Sequence, residues 1–294
     1  MRYLVQLAID YDYGTPIGAA DHCLRLRPIS RRNQIVSSAS LEIDPEPDAI
    51  DSRTDYFGNA VSFAHYDYPH DALSIRLLAD VNVSPPVSDL DISPTVQALV
   101  QDVAESRNFS PPSPVHHLGD SRMVQRSEPI TAYVAQELDF GSNRSIFASA
   151  LALAQRIRSE FTYEPGTTDT TTPPAQAFEM RQGVCQDFAH IMIAGCRGLG
   201  VPAAYVSGII RTEPPPGQPR LEGADAMHAW VDVWCGDALG WVGFDPTNAC
   251  VAGVDHIIVA VGRDYADVSP IDGVILASEQ ETHTVAVDVL PAGD

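Results

Sequence analysis

Over about the first hundred residues, apolar and polar positions mix at short range. "YLVQLAI" (3–9), "HCLRLRP" (22–28), "NQIVSSASLEI" (33–43), "YFGNAVSFAHY" (56–66) and "LSIRLLADVNV" (73–83) combine β-forming residues with polar ones, and turn sequences such as "DYGTP" and "DPEPD" separate them. The pattern predicts an antiparallel β-rich region. "SPP" at 84–86 and "SPPSP" at 110–114 then break the chain around a short predicted helix at 94–106.

From about residue 130 the period changes. "SIFASALALAQRIRSEF" (145–161) places Phe147, Leu151, Ala154, Ile157 and Phe161 on one helical face. A Thr- and Pro-rich loop, "YEPGTTDTTTPPAQ" (163–176), follows it. "CQDFAHIMIAGCRGL" (185–199) is a second helix, with Phe188, Met192 and Leu199 on one face and Gly200 and Pro202 ending it. Strand-like runs come next at 203–210, 228–234 and 240–246, with a proline-rich turn at 213–220. A helix followed by several strands predicts an α+β domain. The expected division is a β-rich domain over 1–115 and an α+β domain over 116–294, with its core at about 130–262 and a C-terminal extension.

Composition narrows the classes of function. The formal net charge of −21 repels phosphate backbones, so nucleic acid and anionic membrane are not expected partners. All 18 cationic side chains are arginine and there is no lysine, which is read as compositional bias. The opening residues show no apolar segment of signal-peptide length, and no uncharged apolar run is long enough to cross a bilayer. The expectation is therefore a cytoplasmic protein. Five cysteines without CxxC spacing point to neither a disulfide framework nor a zinc site. "HH" at 116–117 has no spaced ligand partners and there is no EF-hand-like loop, so neither metal nor cofactor is expected.

Candidate chemistry centres on "RQGVCQDFAH" (181–190). Cys185 sits where a helix begins, and there the unpaired amides and the macrodipole favour a thiolate. The same amides supply part of an oxyanion hole. In "MHAWVDVW", His228, Trp230, Asp232 and Trp234 share one face of a strand, and Ala229, Val231 and Val233 the other. Asp245 ends the next strand-like run, and a hairpin would bring it beside His228. Pro246 keeps its backbone extended. The order Cys, His, Asp suits nucleophilic catalysis: the imidazole takes the thiol proton and the carboxylate orients and stabilises the ring.

"GVCQDFAH", "MHAWVDVW" and "GWVGFDPTN", in that order, resemble the bacterial transglutaminase-like family, a superfamily that includes candidate cysteine proteases. The resemblance spans roughly 130–262; the preceding strands are similar to the β-rich N-terminal region of many bacterial members, and "GRDYADVSPIDGV" (262–274) to the stretch after their core. It implies a papain-like α+β core with the nucleophile at a helix N-terminus packed on an antiparallel sheet, and a triad of Cys185, His228 and Asp245. It also implies thioester-mediated acyl transfer on protein or peptide carbonyls, or hydrolysis of the same bond, without a cofactor. A non-catalytic binding module on the same fold is the remaining alternative. Tyr163 and Gln176 are candidate side-chain oxyanion donors. Trp230 and Trp241 either line an acyl cleft or pack in the core. Cys196 lies about 16 Å along the same helix at about 1.5 Å per residue, and is expected in the core. His190 is expected to be structural; Asp264, Tyr265 and Asp267 either approach the site or cap the last elements.

Overall fold

Alternation along β1 (Arg2–Ile17) shows how the N-terminal pattern becomes structure: Tyr3, Val5, Leu7 and Ile9 are buried while Arg2 and Gln6 face water. Burying each large apolar side chain contributes about 1.5–3 kcal/mol, which fixes the register of the strand. β2 (Ala20–Leu24), β3 (Gln34–Asp44), β4 (Ala49–Thr54), β5 (Ala60–Tyr66) and β6 (His70–Val83) follow. The run predicted as one strand at 56–66 begins with a turn, because Asp55 Oδ1 accepts from the amides of Phe57 and Asn59. Leu77 and Ile75 of β6 lie opposite Leu7 and Ile9 of β1, so both strands turn the same apolar set inward. The computed structural model describes residues 1–85, 91–212, 223, 225–275 and 282–292. The proline-rich turn expected at 213–220 and the end of the break at 84–86 lie outside these residues.

The helical part starts at α1 (Val96–Glu105), capped by the Thr95 hydroxyl, and continues through α2 (Glu128–Val134) and α3 (Ile146–Glu160). β7 (Thr162–Tyr163), α4 (Pro174–Met180) and β8 (Gln182–Gly183) lead into α5 (Cys185–Gly198). α2 and α4 were not predicted; at seven residues each they are too short to show helical periodicity. The buried side of α3 includes Ala154 and Ile157 of the expected stripe, and Phe161 just after it, but its first turns bury Ile146, Ala150 and Leu153 while Phe147 and Leu151 are only partly buried. Phe147 instead packs edge-on against Phe244, with ring centroids 5.5 Å apart.

β9 (Ala203–Ile210), β10 (Ala226–Trp234), β11 (Trp241–Asp245), β12 (Cys250–Val251) and β13 (His256–Gly262) follow, then α6 (Tyr265–Val268), β14 (Ile271–Ile275) and β15 (Thr282–Pro291). The core sheet is antiparallel in the order β12-β11-β10-β9-β13. α5 packs on it and is buried at every position from Gln186 to Arg197, so this helix is central rather than one-sided. The other two four-stranded sheets run β15-β1-β6-β3 and β14-β2-β5-β4. The chain thus returns at its C-terminal end to complete both N-terminal sheets. Ile209, Ile257 and Val259 of the core sheet also join the apolar cluster beneath β1 and β6. Among the described residues, no helix is long and apolar enough to cross a membrane.

Candidate active site

Cys185 is the first residue of α5, as expected, and is half-buried. The turn before it is held tightly. Asp187 Oδ2 accepts from the Val184 amide at 2.8 Å and from the Thr168 hydroxyl at 2.7 Å. A Cβ on Gly183 would come within 2.6 Å of that same Oδ2, so only glycine leaves room for the cap. Gln186 Nε2 donates to the Thr170 carbonyl at 3.0 Å. The Thr-rich loop therefore packs against the helix start, where the first turn of amides lacks intrahelical partners.

β10 supplies His228 and β11 ends at Asp245. The two strands pair antiparallel through Val231–Phe244 and Trp234–Trp241, which brings the end of β11 alongside the start of β10. His228 Nε2 lies 2.8 Å from Asp245 Oδ2. Cys185 lies near enough to the imidazole for its thiol to help raise the His228 pKa. Burial alone would lower the His228 pKa; hydrogen bonds with Asp245 and Cys185, and their charges, outweigh it and hold the group at about 10. Burial likewise disfavours the Asp245 carboxylate, yet bonds from His228, His256 and Asn248 keep it well below the usual carboxylate range.

Two members of this cluster escaped the sequence reading. Asn248 Nδ2 donates to Asp245 Oδ2 at 2.7 Å, while Asp245 Oδ1 accepts from the amides of Thr247 and Asn248. His256 opens β13 and places Nε2 3.1 Å from Asp245 Oδ2. The Gly253 amide donates to its Nδ1 at 3.2 Å, so the His256 proton sits on Nε2 and points at Asp245. Nothing in the local pattern around "VDHIIV" marks this histidine; only the fold of β13 against β9 brings it to Asp245. His228, Asp245 and His256 are metal-ligand types with donor atoms within 4.8 Å of one another. However, the tautomer that Gly253 imposes on His256 offers an N–H to the centre of this group, not a lone pair.

The remaining candidates separate. Tyr163 is 44% exposed beside the helix start, and the nearby Cys185 charge adds to burial in raising its phenol pKa. Gln176 is exposed on α4 and its side chain makes no hydrogen bond to the described residues. Trp230 is buried; its ring lies where a Cβ on Gly208 of β9 would have to go, 2.3 Å from its edge. Trp230 and Trp241 both line a cavity on the face of the sheet away from α5, which neither Cys185 nor His228 lines. His190 is buried, accepts from the Tyr265 amide at 3.2 Å and packs on Tyr205. Asp264 caps α6 and also accepts from the Met123 amide at 2.6 Å. Asp267 pairs with Arg263 at 2.7 Å. Cys196 is buried in the core.

Comparison with known proteins agrees with this architecture. Residues 132–246 match the transglutaminase-like superfamily core, and residues 3–82 match the bacterial transglutaminase-like N-terminal region. An uncharacterized protein of Mycobacterium tuberculosis is 35% identical over 99% of this chain and 93% of its own length. A protein-glutamine gamma-glutamyltransferase of Pseudomonas aeruginosa is 33% identical over 135 residues, covering 43% of this chain and 19% of the relative. A solved structure from Cytophaga hutchinsonii, described as a candidate cysteine protease, superposes with a TM-score of 0.73 at 21% identity and covers 100% of this chain and 92% of that one. With its N-terminal β-rich region and a helix-start cysteine packed on an antiparallel sheet, the chain belongs to the bacterial transglutaminase-like family.

Proposed function

We propose that this protein is a thiol acyltransferase in which Cys185, His228 and Asp245 form the catalytic triad. The observation that carries the reading is the bond between the Asp245 carboxylate and His228, with Cys185 at the start of α5 near enough to act on that imidazole. Cys185 passes its proton to His228 and attacks a carboxamide or peptide carbonyl. The oxyanion forms against the first-turn amides of α5, with Tyr163 the better placed of the two side-chain candidates and Gln176 the worse. His228 returns the proton to the leaving amine or ammonia, and a thioester remains. An acceptor amine, or water, then loses a proton to His228 and attacks the thioester, and the thiol is restored. Asp245 holds the ring in place and stabilises its charged form. No cofactor enters these steps, and the substrate is a protein or peptide.

Transfer to an amine is favoured over hydrolysis by the likeness to the Pseudomonas glutamyltransferase, and the likeness to the Cytophaga structure bears on fold alone. The chain contains no lysine, so an acceptor lysine must come from another molecule. Arginine does not substitute, because its guanidinium stays protonated. Incubating the protein with a glutamine-containing peptide and a fluorescent primary amine tests the reading. Conjugate and released ammonia in equal amounts, both lost in Cys185→Ala, are expected. Ammonia without conjugate moves the reaction to amide hydrolysis, and neither product with any glutamine or peptide substrate refutes the enzyme.

A further inference from the structure

The face of the core sheet away from α5 bounds a cavity of about 1260 Å³. That exceeds the roughly 300–1,000 Å³ of an ordinary small-molecule site. Its walls come from the N-terminal region, the segment before α1, residues 111–117, α3 and the core sheet, and are mostly apolar: Phe57, Phe147, Trp230, Trp234, Trp241 and Ile258 are representative. His256 lies in the wall, so the cavity reaches the back of Asp245 without touching the thiol.

The polar side chains in this wall are almost all committed. Arg32 pairs with Asp232. Gln34 donates to the carbonyls of Ile29 and Ile258 and accepts from the Ile258 amide. Asp55 holds its own turn, Asp91 accepts from Ser93 and Ser145, and His256 is taken by Asp245 and Gly253. Apart from the tryptophan indoles, two groups stand out among the described residues. The Arg31 guanidinium makes no hydrogen bond or ion pair with any described residue, although Asp232 acts on it electrostatically from behind Arg32. His117 is 4% exposed, and its Nδ1 is buried without a partner. Its ring is wedged between Phe57 and Trp241, at 5.4 and 5.1 Å. Burial, helped by the charges of Arg197 and Arg31, pushes this imidazole down to about 3, so it is neutral at physiological pH.

An arginine without an ion-pair partner among the described residues, set within aromatic walls, is a recognition element for one negative charge on an apolar body. We infer that this cavity is a second binding site, distinct from the thiol, for an apolar monocarboxylate whose carboxylate meets Arg31 while its body lies on the tryptophans. A phosphate dianion fits less well. Arg32 is already neutralised by Asp232, only one cation remains, and the chain's −21 charge opposes a second negative charge.

All three tryptophans of the chain line the cavity, so intrinsic fluorescence reports on it directly. The purified protein is titrated with octanoate, octanamide and octyl phosphate. Octanoate should give a saturable change in tryptophan emission and bind on the order of tenfold or more tighter than octanamide, since a hydrogen bond to a charged group is at stake. Arg31→Gln should lose that advantage and Arg31→Lys should keep part of it, with an unchanged far-ultraviolet circular dichroism spectrum as the control for folding. The wild-type comparison stands even if the variants fold poorly. Equal binding of octanamide, tighter binding of octyl phosphate, or no saturable change with octanoate would each overturn the assignment.

Discussion

The two ends of α5 carry the same kinds of residue in opposite circumstances. At its start, Cys185 is half-exposed beside an imidazole whose charged form is favoured by a buried carboxylate. Eleven residues on, Cys196 is wholly buried and its thiol is pushed up to about 12. Its neighbour Arg197 is tied to the carbonyls of His117, Gly119, Ala203 and Arg263, an arrangement that locks the helix end onto the loops around it. Near the middle, His190 is pushed down by burial to about 4, against the pull of Asp264. The same two residue types, cysteine and histidine, are therefore set in opposite electrostatic surroundings in different parts of the site region. The end suited to nucleophilic chemistry is the one where the helix begins, the cysteine is half-exposed and a carboxylate backs the nearby imidazole.

The largest effect should separate the two cysteines. Cys185→Ala is expected to lower acyl-transfer turnover by on the order of 10⁴-fold or more, because the remaining groups cannot form the thioester. Cys196→Ala should leave turnover within about twofold and appear instead as a loss of about 1 kcal/mol in urea unfolding, the cost of a small cavity. Equal activity losses would erase the contrast between the two ends.

Next in size is Asp245→Asn. It keeps the shape but removes the charge that favours the His228 imidazolium, and turnover should fall about 10⁴-fold. Stopped-assay kinetics at saturating peptide would show this as a loss in kcat. A change confined to KM would mean that Asp245 only shapes the cleft.

The histidines also predict a stability profile. His190 and His117 stay neutral in the folded state down to about 4 and about 3, whereas unfolded histidine protonates near 6.5. Below pH 6.5 the unfolded state binds more protons, so each group removes up to about 1.4 kcal/mol of stability per pH unit until its folded pKa is reached. His228 has the opposite sign. Its folded pKa of about 10 lies above the unfolded value, so its contribution is complete below pH 6.5 and is lost as pH rises through about 10. Urea midpoints measured across pH should therefore decline on the acid side through His190 and His117 and on the alkaline side through His228. His190→Phe should flatten the acid limb alone.

His256→Gln should have a smaller effect, about 10- to 100-fold in kcat, because Asp245 retains His228, Asn248 and two backbone amides. An unchanged kcat would make the His256 bond purely structural.

Much of this contrast was legible in the sequence, because its signals are local. The helix-start cysteine, the alternating strand with His228 and the strand ending at Asp245 all sit where their residues placed them. What escaped depends on contacts distant in sequence. His256 reaches Asp245 only because β13 pairs with β9, and β14 and β15 return to the N-terminal sheets through pairings such as Leu4–Leu290 that no short window contains. The departure at the start of α3 has the same origin, since Phe147 packs against Phe244 of another element. Asn248 lies in the turn after Asp245, and that turn delivers its side-chain amide to the buried carboxylate.

The most direct test of the central claim is to trap the thioester itself. The protein is mixed with a glutamine-containing dipeptide in the absence of amine, quenched in acid and analysed by intact mass and peptide mapping. The account predicts a gain equal to the dipeptide minus ammonia, carried by Cys185, absent in Cys185→Ala and strongly reduced in His228→Ala. An adduct on Cys196 or another cysteine, or none with any glutamine or peptide donor while Cys185 remains open to iodoacetamide, would contradict it.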